Sequence, residues 1–348
     1  MSEAPNVDAL RDAIRRLANG QPLGGDAVTA AFDVVMRGDA TASQIAALLI
    51  GLRVRGESAE VVAAVARSMR SAMVVLPVDA PDRLVDTCGT GGGVVQTFNI
   101  STAAALLAAG AGARVAKHGN RSFTSRSGSA DVLEALGVPI DRPIDVMLRS
   151  LEGAGIVFMF APVMHPAMRH VGPVRRELAI PTVMNVVGPL ANPASAGRQV
   201  VGVAEAARLP LIAGALASLG SLHALVVHGE PGLDEISPLG PTQVLEVRRG
   251  SGEPVAWTIE PARFGLGGGR EEDLAGGSPQ ENAGVIVDVL SGHGAPGARA
   301  AVLLNAAAAL YVAGEVASYE DGVAAATRAL ERGDGMRALE RLRAVYAG

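Results

Sequence analysis

Asp86-Thr87-Cys88-Gly89-Thr90-Gly91-Gly92-Gly93 holds the densest chemistry in the chain: a strand ends in a loop with four glycines among five residues. Such a loop presents backbone N–H groups that no side chain covers. Asn99-Ile100-Ser101-Thr102 then opens an Ala-rich helix, so the loop lies beside a helix N-terminus, where free N–H groups and the helix dipole favour phosphate or carboxylate. A dinucleotide fingerprint starting at Gly89 would need glycine where Val94 stands, and a Gly-Lys-Ser/Thr phosphate loop is absent. A tight strand-to-helix turn without a ligand has the same local composition, so the charge pattern downstream of the loop decides between the two.

From Thr87 to Ala130 there is no Asp or Glu, although Arg114, Lys117, Arg121 and Arg126 fall in that stretch. This segregation of charge predicts an anion site. Its centre is Lys117-His118-Gly119-Asn120-Arg121-Ser122, followed by Ser125, Ser127 and Ser129. Hydrogen bonds to charged groups contribute roughly 1.5–3 kcal/mol each, so several converging donors would hold a diphosphate firmly. Carboxylates return at Asp234-Glu235, just after an apolar strand that runs into His228-Gly229. Neighbours in extended chain point to opposite sides, so each could hold a different hydrated cation. Mg²⁺ suits that arrangement, since it takes one or two carboxylates plus substrate phosphates.

Between these segments, His165 to Leu178 reads as a helix carrying several cations, one of which could grip a carboxylate. Asn185-Val186-Val187-Gly188-Pro189-Leu190-Ala191-Asn192-Pro193 reads as a rigid turn able to shape a pocket wall. The six histidines show no zinc spacing, and His223 and His228, five apart on a strand, face opposite sides. No Gly-x-Ser-x-Gly elbow occurs, and Cys88 at a strand end reads as packing rather than nucleophile.

The elements that must position these residues come in two patterns. Up to about residue 75 the periodicity is helical: Val7 to Ala18, Asp26 to Arg37, a helix opened by the Thr41/Gln44 capping box and closed by Gly56, and a fourth capped by Ser58. After Pro77, short apolar strands alternate with helices: Leu84 to Asp86, Arg114 to Lys117, Ile156 to Phe160, Val200 to Val203, Ala224 to Val227 and Val244 to Val247. That alternation predicts an α/β fold, a mostly parallel central sheet flanked by helices, beside a small all-helical domain. Phe264 to Gly277 reads as a Gly-rich loop, Ser278-Pro279 opens a helix to Leu290, and two Ala-rich helices finish the chain.

Composition narrows the function classes. The 348 residues are 49% hydrophobic but only 3% aromatic, with 43 glycines and a net charge of −5. Neutralising a polyphosphate backbone takes a basic surface, so nucleic-acid binding is not expected. Thr102 to Ala113 is too short to cross a bilayer, one cysteine cannot form an internal disulfide, and residues 1–5 lack a signal-peptide layout. A cytoplasmic protein without a membrane span is the expectation.

Taken in order and spacing, the glycine loop, the K-H-G-N-R-S run, the H-P-A-M-R-x-V-x-x-V-R segment from His165 to Arg175, the N-x-x-G-P-L-x-N-P turn and the Asp234-Glu235 pair resemble anthranilate phosphoribosyltransferases. The resemblance runs from the N-terminal helices to the C-terminal ones. It implies transfer of the phosphoribosyl group of phosphoribosyl pyrophosphate (PRPP) to anthranilate, with release of pyrophosphate, in tryptophan biosynthesis. It further implies a nucleoside phosphorylase/phosphoribosyltransferase type of fold, with residues 1–77 and about 167–190 as the helical domain and 78–166 and 191–348 as the α/β domain. A homodimer through the helical domain, and Mg²⁺ at two ions per subunit, are also implied. Carried over residue by residue, PRPP would be bound by Gly89, Thr90, Gly91, Gly92, Thr97, Asn99, Ser101, Thr102, Lys117, Asn120, Ser122 and Ser129. Anthranilate would lie near Gly89, His118, Asn120, His165, Gly188 and Pro189, with Arg175 on its carboxylate. The metal would fall to Ser101, Asp234 and Glu235. No protein nucleophile is expected.

One departure stands out: Gly93 replaces the Asp that this family usually carries as the fifth loop residue. Two other readings compete. A pyrimidine nucleoside phosphorylase shares the type of fold, but the K-H-G-N-R-S run and the acidic pair favour the transferase. A non-catalytic nucleic-acid-binding relative would be basic and without the acidic pair, whereas this chain has a pI of about 5.7 and retains both carboxylates.

Overall fold

Helical spacing in the first 75 residues becomes four helices whose ends are set by the residues that flank them. The computed structural model describes residues 7–122 and 126–347. α1 spans Val7–Ala18, α2 Gly25–Arg37, α3 Ala42–Arg55 and α4 Ala59–Ser71. Thr41 and Gln44 form a reciprocal capping box at the start of α3, each satisfying an N–H that the first turn leaves without a partner. α2 ends at Gly38 with φ 85°, where a Cβ would also press into the His170 ring.

The α/β part continues with β1 Leu84–Gly89, α5 Ile100–Gly110, β2 Arg114–Gly119, α6 Ser129–Ala135, α7 Ile144–Gly153 and β3 Ile156–Phe160. Next come α8 Ala161–Met164, α9 Met168–Leu178, β4 Arg198–Gly202, α10 Leu209–Ser218, β5 His223–Gly229, β6 Thr242–Arg248 and β7 Val255–Ile259. α11 Pro279–Leu290, α12 Pro296–Ala313, α13 Tyr319–Glu331 and α14 Asp334–Ala347 complete the described chain.

The strands form one sheet in the order β3-β2-β1-β4-β5-β6-β7. β1 to β5 are parallel, and β6 and β7 run antiparallel. β1 lies between β2 and β4, so the chain winds outward in opposite directions on either side of it. The carboxyl ends of β1, β2 and β4 therefore open a crevice at a topological switch point. Alternate side chains feed two cores: Leu225 and Val227 of β5 join α5 and α11–α14, while Ala224 and Val226 join α1–α4, α9 and α10. α10 packs on both α4 and β6, so the helical bundle and the sheet share one apolar face.

Three departures from the sequence reading have physical causes. β7 was not expected; it is an edge strand, exposed over much of its length, so it lacks the apolar run of an inner strand. Three helices, not two, follow α11, because Gly333 with φ 69° separates α13 from α14. The stretch 264–277 is more than a loop: Glu271–Leu274 forms a 3-10 turn, Leu274 is fully buried, and Thr97 bridges Ala275. A single apolar anchor among charges has no periodicity to betray it. α12 is long and apolar enough to cross a membrane, but 78% of it is buried within the fold, where its alanines let neighbouring helices approach.

Candidate active site at the switch point

The glycine loop is shaped by close approach. A Cβ at Gly89 would overlap Asp234 Oδ2, and one at Gly202 would overlap the Asp234 carbonyl, so both positions must lack a side chain. Gly91 and Gly92 have φ of 72° and 83°, the left-handed region. The loop's donors are partly occupied: Gly91 N–H donates to Asp234 Oδ2 at 2.7 Å, and Thr90 N–H to the Gly202 carbonyl at 2.9 Å. At the start of α5, Ser101 N–H donates to Glu235 Oε1 at 3.1 Å. The two carboxylates diverge, one to the loop and one to the helix N-terminus, as alternation in an extended segment requires.

Asn305 of α12 holds the segment that carries them: its Oδ1 accepts from Ile236 N–H at 3.0 Å and its Nδ2 donates to the Ile236 carbonyl at 2.9 Å. Burial pushes both acids up, Glu235 to about 8 with Asp234 adding to the effect. Lys117, itself buried, donates to the Thr87 carbonyl at 2.6 Å and to Ser101 Oγ at 3.3 Å. Desolvation lowers its pKa. Lys117 is shared between Asp86 and Glu235 and does not act on Asp234, so a hard divalent cation would supply positive charge that the buried acidic pair lacks. The donors are all oxygen, which fits Mg²⁺ completed by substrate oxygens. Among the described residues no three His, Cys, Asp or Glu side chains converge as a cage.

β2 delivers Lys117 and His118 to the same rim. Asp86, fully buried in β1, accepts from His118 N–H at 3.2 Å and from Asn192 Nδ2 at 2.7 Å; Asn192 also donates to the Ala116 carbonyl at 2.8 Å. Burial raises the Asp86 pKa to about 6 against the pull of Lys117. This network ties the 185–193 turn to the strand ends. The basic segment needs correction: Arg121 is paired with Asp131 and Glu134 and stacks on Phe160, Arg126 lies 3.7 Å from Glu281, and Arg114 is exposed at the far end of β2. The acids come from beyond the acid-free stretch; of the four cations, Lys117 and the ion-paired Arg121 line the cleft, while Arg114 and Arg126 do not. Ser125 lies outside the described residues.

A cleft of about 580 Å³ runs along these strand ends. It is lined by Gly89, Thr90, Gly91, Gly92, Asn99, Ser101, Lys117, His118, Asn120, Ser122, Ser129, Arg175, Asp234 and Glu235, which joins most of the residues singled out in the sequence. Thr97 and Thr102 are not among its lining: Thr97 is spent on the bridge to Ala275, and Thr102 is 1% exposed with its hydroxyl turned into the protein. His165, Gly188 and Pro189 stand behind the lining. The His165 ring lies 4.9 Å from that of His118, and the Gly188 backbone rests on the His118 ring. Asn99 bridges Ser127 and Asn282 of α11, which links the loop after β2 to the rest of the lobe.

Burial holds both histidines neutral, lowering His118 to about 3 and His165 to about 4, and the Nε2 of each has no partner among the described residues. Arg175 of α9 lines the cleft half-buried, with no carboxylate among the described residues acting on it and its pKa lowered by burial. Cys88 is pushed well up by burial, which keeps it a thiol. His223 and His228 do face opposite ways, to Glu246 and to the Val203 carbonyl. Asp86, Asn305, Arg70 and Gln199 were not legible as site residues. Asp86, Gln199 and Asn305 signal themselves only as a polar residue beside apolar ones, Arg70 in Arg67-Ser68-Met69-Arg70-Ser71 not even by that, and their partners are remote in the chain.

Two family models cover the chain: the helical bundle domain of a glycosyl transferase family over residues 11–73, and the a/b domain of the same family over residues 81–336. The anthranilate phosphoribosyltransferase of Rubrobacter xylanophilus is 50% identical over 332 residues, 95% of this chain and 96% of the relative. That of Roseiflexus sp. is 48% identical over 97% of this chain and 98% of the relative. Among solved structures, the anthranilate phosphoribosyltransferase of Thermus thermophilus superimposes with a TM-score of 0.90 at 42% identity, over 97% of this chain and 100% of that one. The Saccharomyces cerevisiae enzyme in complex with PRPP and Mg superimposes with a TM-score of 0.88 at 27% identity, over 99% of both chains.

Proposed function

The chain belongs to the anthranilate phosphoribosyltransferase family, and from that premise we propose how its cleft carries the reaction. The enzyme transfers the phosphoribosyl group of PRPP to the amine of anthranilate, giving N-(5-phosphoribosyl)anthranilate and pyrophosphate. The observation that carries the assignment of roles is a single cleft with a glycine loop and a buried acidic pair at one end and an unpaired Arg175 beside neutral His118 at the other. The phosphorylase and nucleic-acid-binding readings give way to it.

Gly89 to Gly92, Ser101 and Lys117 take the diphosphate, and Asp234 and Glu235 hold Mg²⁺, two ions per subunit. Bound Mg²⁺ supplies the positive charge that eases departure of pyrophosphate. The N–H groups of Gly91 and Ser101, now on the two carboxylates, are the donors that pyrophosphate inherits. Arg175 pairs with the anthranilate carboxylate and so aims the amine at ribose C1. The amine lone pair forms the C1–N bond as the C1–O bond to pyrophosphate breaks, and the proton of the resulting ammonium passes to the departing pyrophosphate. Neutral His118 lines that end of the cleft without placing a competing positive charge beside the nitrogen. No protein nucleophile takes part.

Residues 1–77 and about 167–190 close as one helical lobe on the rest, excluding water that would hydrolyse PRPP. The same lobe mediates a homodimer, and the enzyme works in the cytoplasm. Anthranilate fluorescence tests the reaction: mixing protein, anthranilate, PRPP and Mg²⁺ should extinguish it, and EDTA should stop the loss. Signal loss that persists with EDTA or without PRPP, or none across a wide Mg²⁺ range, would contradict the reading.

A further inference from the structure

The 3-10 turn Gly188–Leu190 is gripped by more side chains than a connector requires. The Pro189 carbonyl accepts from Gln199 Nε2 at 2.8 Å, and the next carbonyl, Leu190, accepts from Arg70 Nε at 2.8 Å. On either side, the backbone at Gly188 rests on His118 and that at Ala191 on His165. Four consecutive backbone positions are thus held by side chains from α4, β2, β4 and the link between α8 and α9.

Two of these holders are poor choices for stability alone. Gln199 is 1% exposed and its Oε1 has no partner, so a buried amide is left half-satisfied. Arg70 is half-buried with no carboxylate among the described residues acting on it, and burial lowers its pKa. An apolar side chain at either place would avoid these penalties only by leaving the Pro189 or Leu190 carbonyl without its partner, so each polar group is retained for its hold on the turn. What the two share is the turn: Arg70 reaches it from the helical bundle and Gln199 from the sheet.

We propose that Gln199 and Arg70 are positioning residues for the acceptor, stapling the Gly188–Leu190 turn from both lobes so that it braces His118 at the anthranilate end of the cleft. The proposal rests on the placement of anthranilate between Arg175 and His118. Neither residue lines the cleft. A turn fastened to both lobes keeps the acceptor wall in register with the PRPP loop, whereas a turn fastened to one would drift with it.

Steady-state kinetics of Gln199→Met, Arg70→Met and Arg70→Lys test this, with PRPP affinity measured by calorimetry on the same preparations. Gln199→Met and Arg70→Met should each raise the anthranilate KM about tenfold, ~1.4 kcal/mol, with kcat and PRPP affinity within about twofold. Arg70→Lys, which keeps a cationic donor, should recover most of the loss. If Gln199→Met does not fold, Gln199→Asn, with its amide withdrawn by one methylene, carries the same expectation. Equal losses toward both substrates, or an unchanged anthranilate KM, would overturn the staple. Arg175→Ala run in parallel separates the two ideas: a raised anthranilate KM there beside unchanged values for Gln199→Met and Arg70→Met sinks the staple alone. Unchanged values in all of them sink the acceptor placement with it.

Discussion

His165 shows what burial does to a single ionisable group. Its ring is 5% exposed and its pKa is lowered to about 4 by desolvation. The unfolded chain takes up a proton near the ordinary histidine value, so this contribution to stability is whole above about pH 6.5 and is lost as pH falls toward 4. Urea unfolding at pH 7 and pH 5 should show wild type losing about 2 kcal/mol more than His165→Asn over that interval. An identical pH slope in the two proteins would mean that the ring is not held neutral. Residues of this kind were partly legible. His118, Lys117 and the glycines sit in a local pattern whose chemistry is readable from its types. Arg70, Gln199 and Asp86 act through partners such as Leu190, 120 residues from Arg70, which no local pattern reveals. Arg121 lines the cleft as its segment implies, but its pairing is not legible for the complementary reason, since its partners Asp131 and Glu134 lie ten and thirteen residues on.

Elements were legible where a cap and an apolar period coincide. α11 has the bounds expected from the sequence, because Ser278, Pro279 and Glu281 start it. The 271–274 turn was hidden, and its importance rests on Leu274. Leu274→Ala should lower stability by about 3 kcal/mol, measured by denaturant midpoint, while exposed Glu272→Ala should stay within about 0.5 kcal/mol. Similar small effects in both would show that the stretch is a loose loop after all. Asn305 makes the same point from inside a helix. Asn305→Leu leaves the buried N–H and C=O of Ile236 unsatisfied, at a cost of about 2 kcal/mol or more. Because that backbone carries Asp234 and Glu235, the variant should also need more Mg²⁺ for half-maximal turnover. A wild-type Mg²⁺ titration would contradict the role given to Asn305.

At the scale of the whole molecule, the sheet's switch point was implicit in the strand-helix alternation, but the strand order was not. Only long-range pairing reveals that β1 sits between β2 and β4, and it is this that brings Gly89, His118 and Asp234 to one rim. The same assembly gives Gly93 its setting. Its backbone is open to other residues, and a Cβ there would lie 3.1 Å from the Gly232 carbonyl and 3.5 Å from Asp234 Oδ1. Gly93→Asp would add a third carboxylate beside the acidic pair, and the half-saturating Mg²⁺ concentration should fall; an unshifted titration would refute this. The central claim is that one cleft seats PRPP at the acidic end and anthranilate at Arg175, and the KM values of Arg175→Ala test it most directly. The anthranilate KM should rise about thirtyfold, ~2 kcal/mol, with the PRPP KM within about twofold of wild type. An unchanged anthranilate KM, or a loss that falls equally on PRPP, would contradict the account.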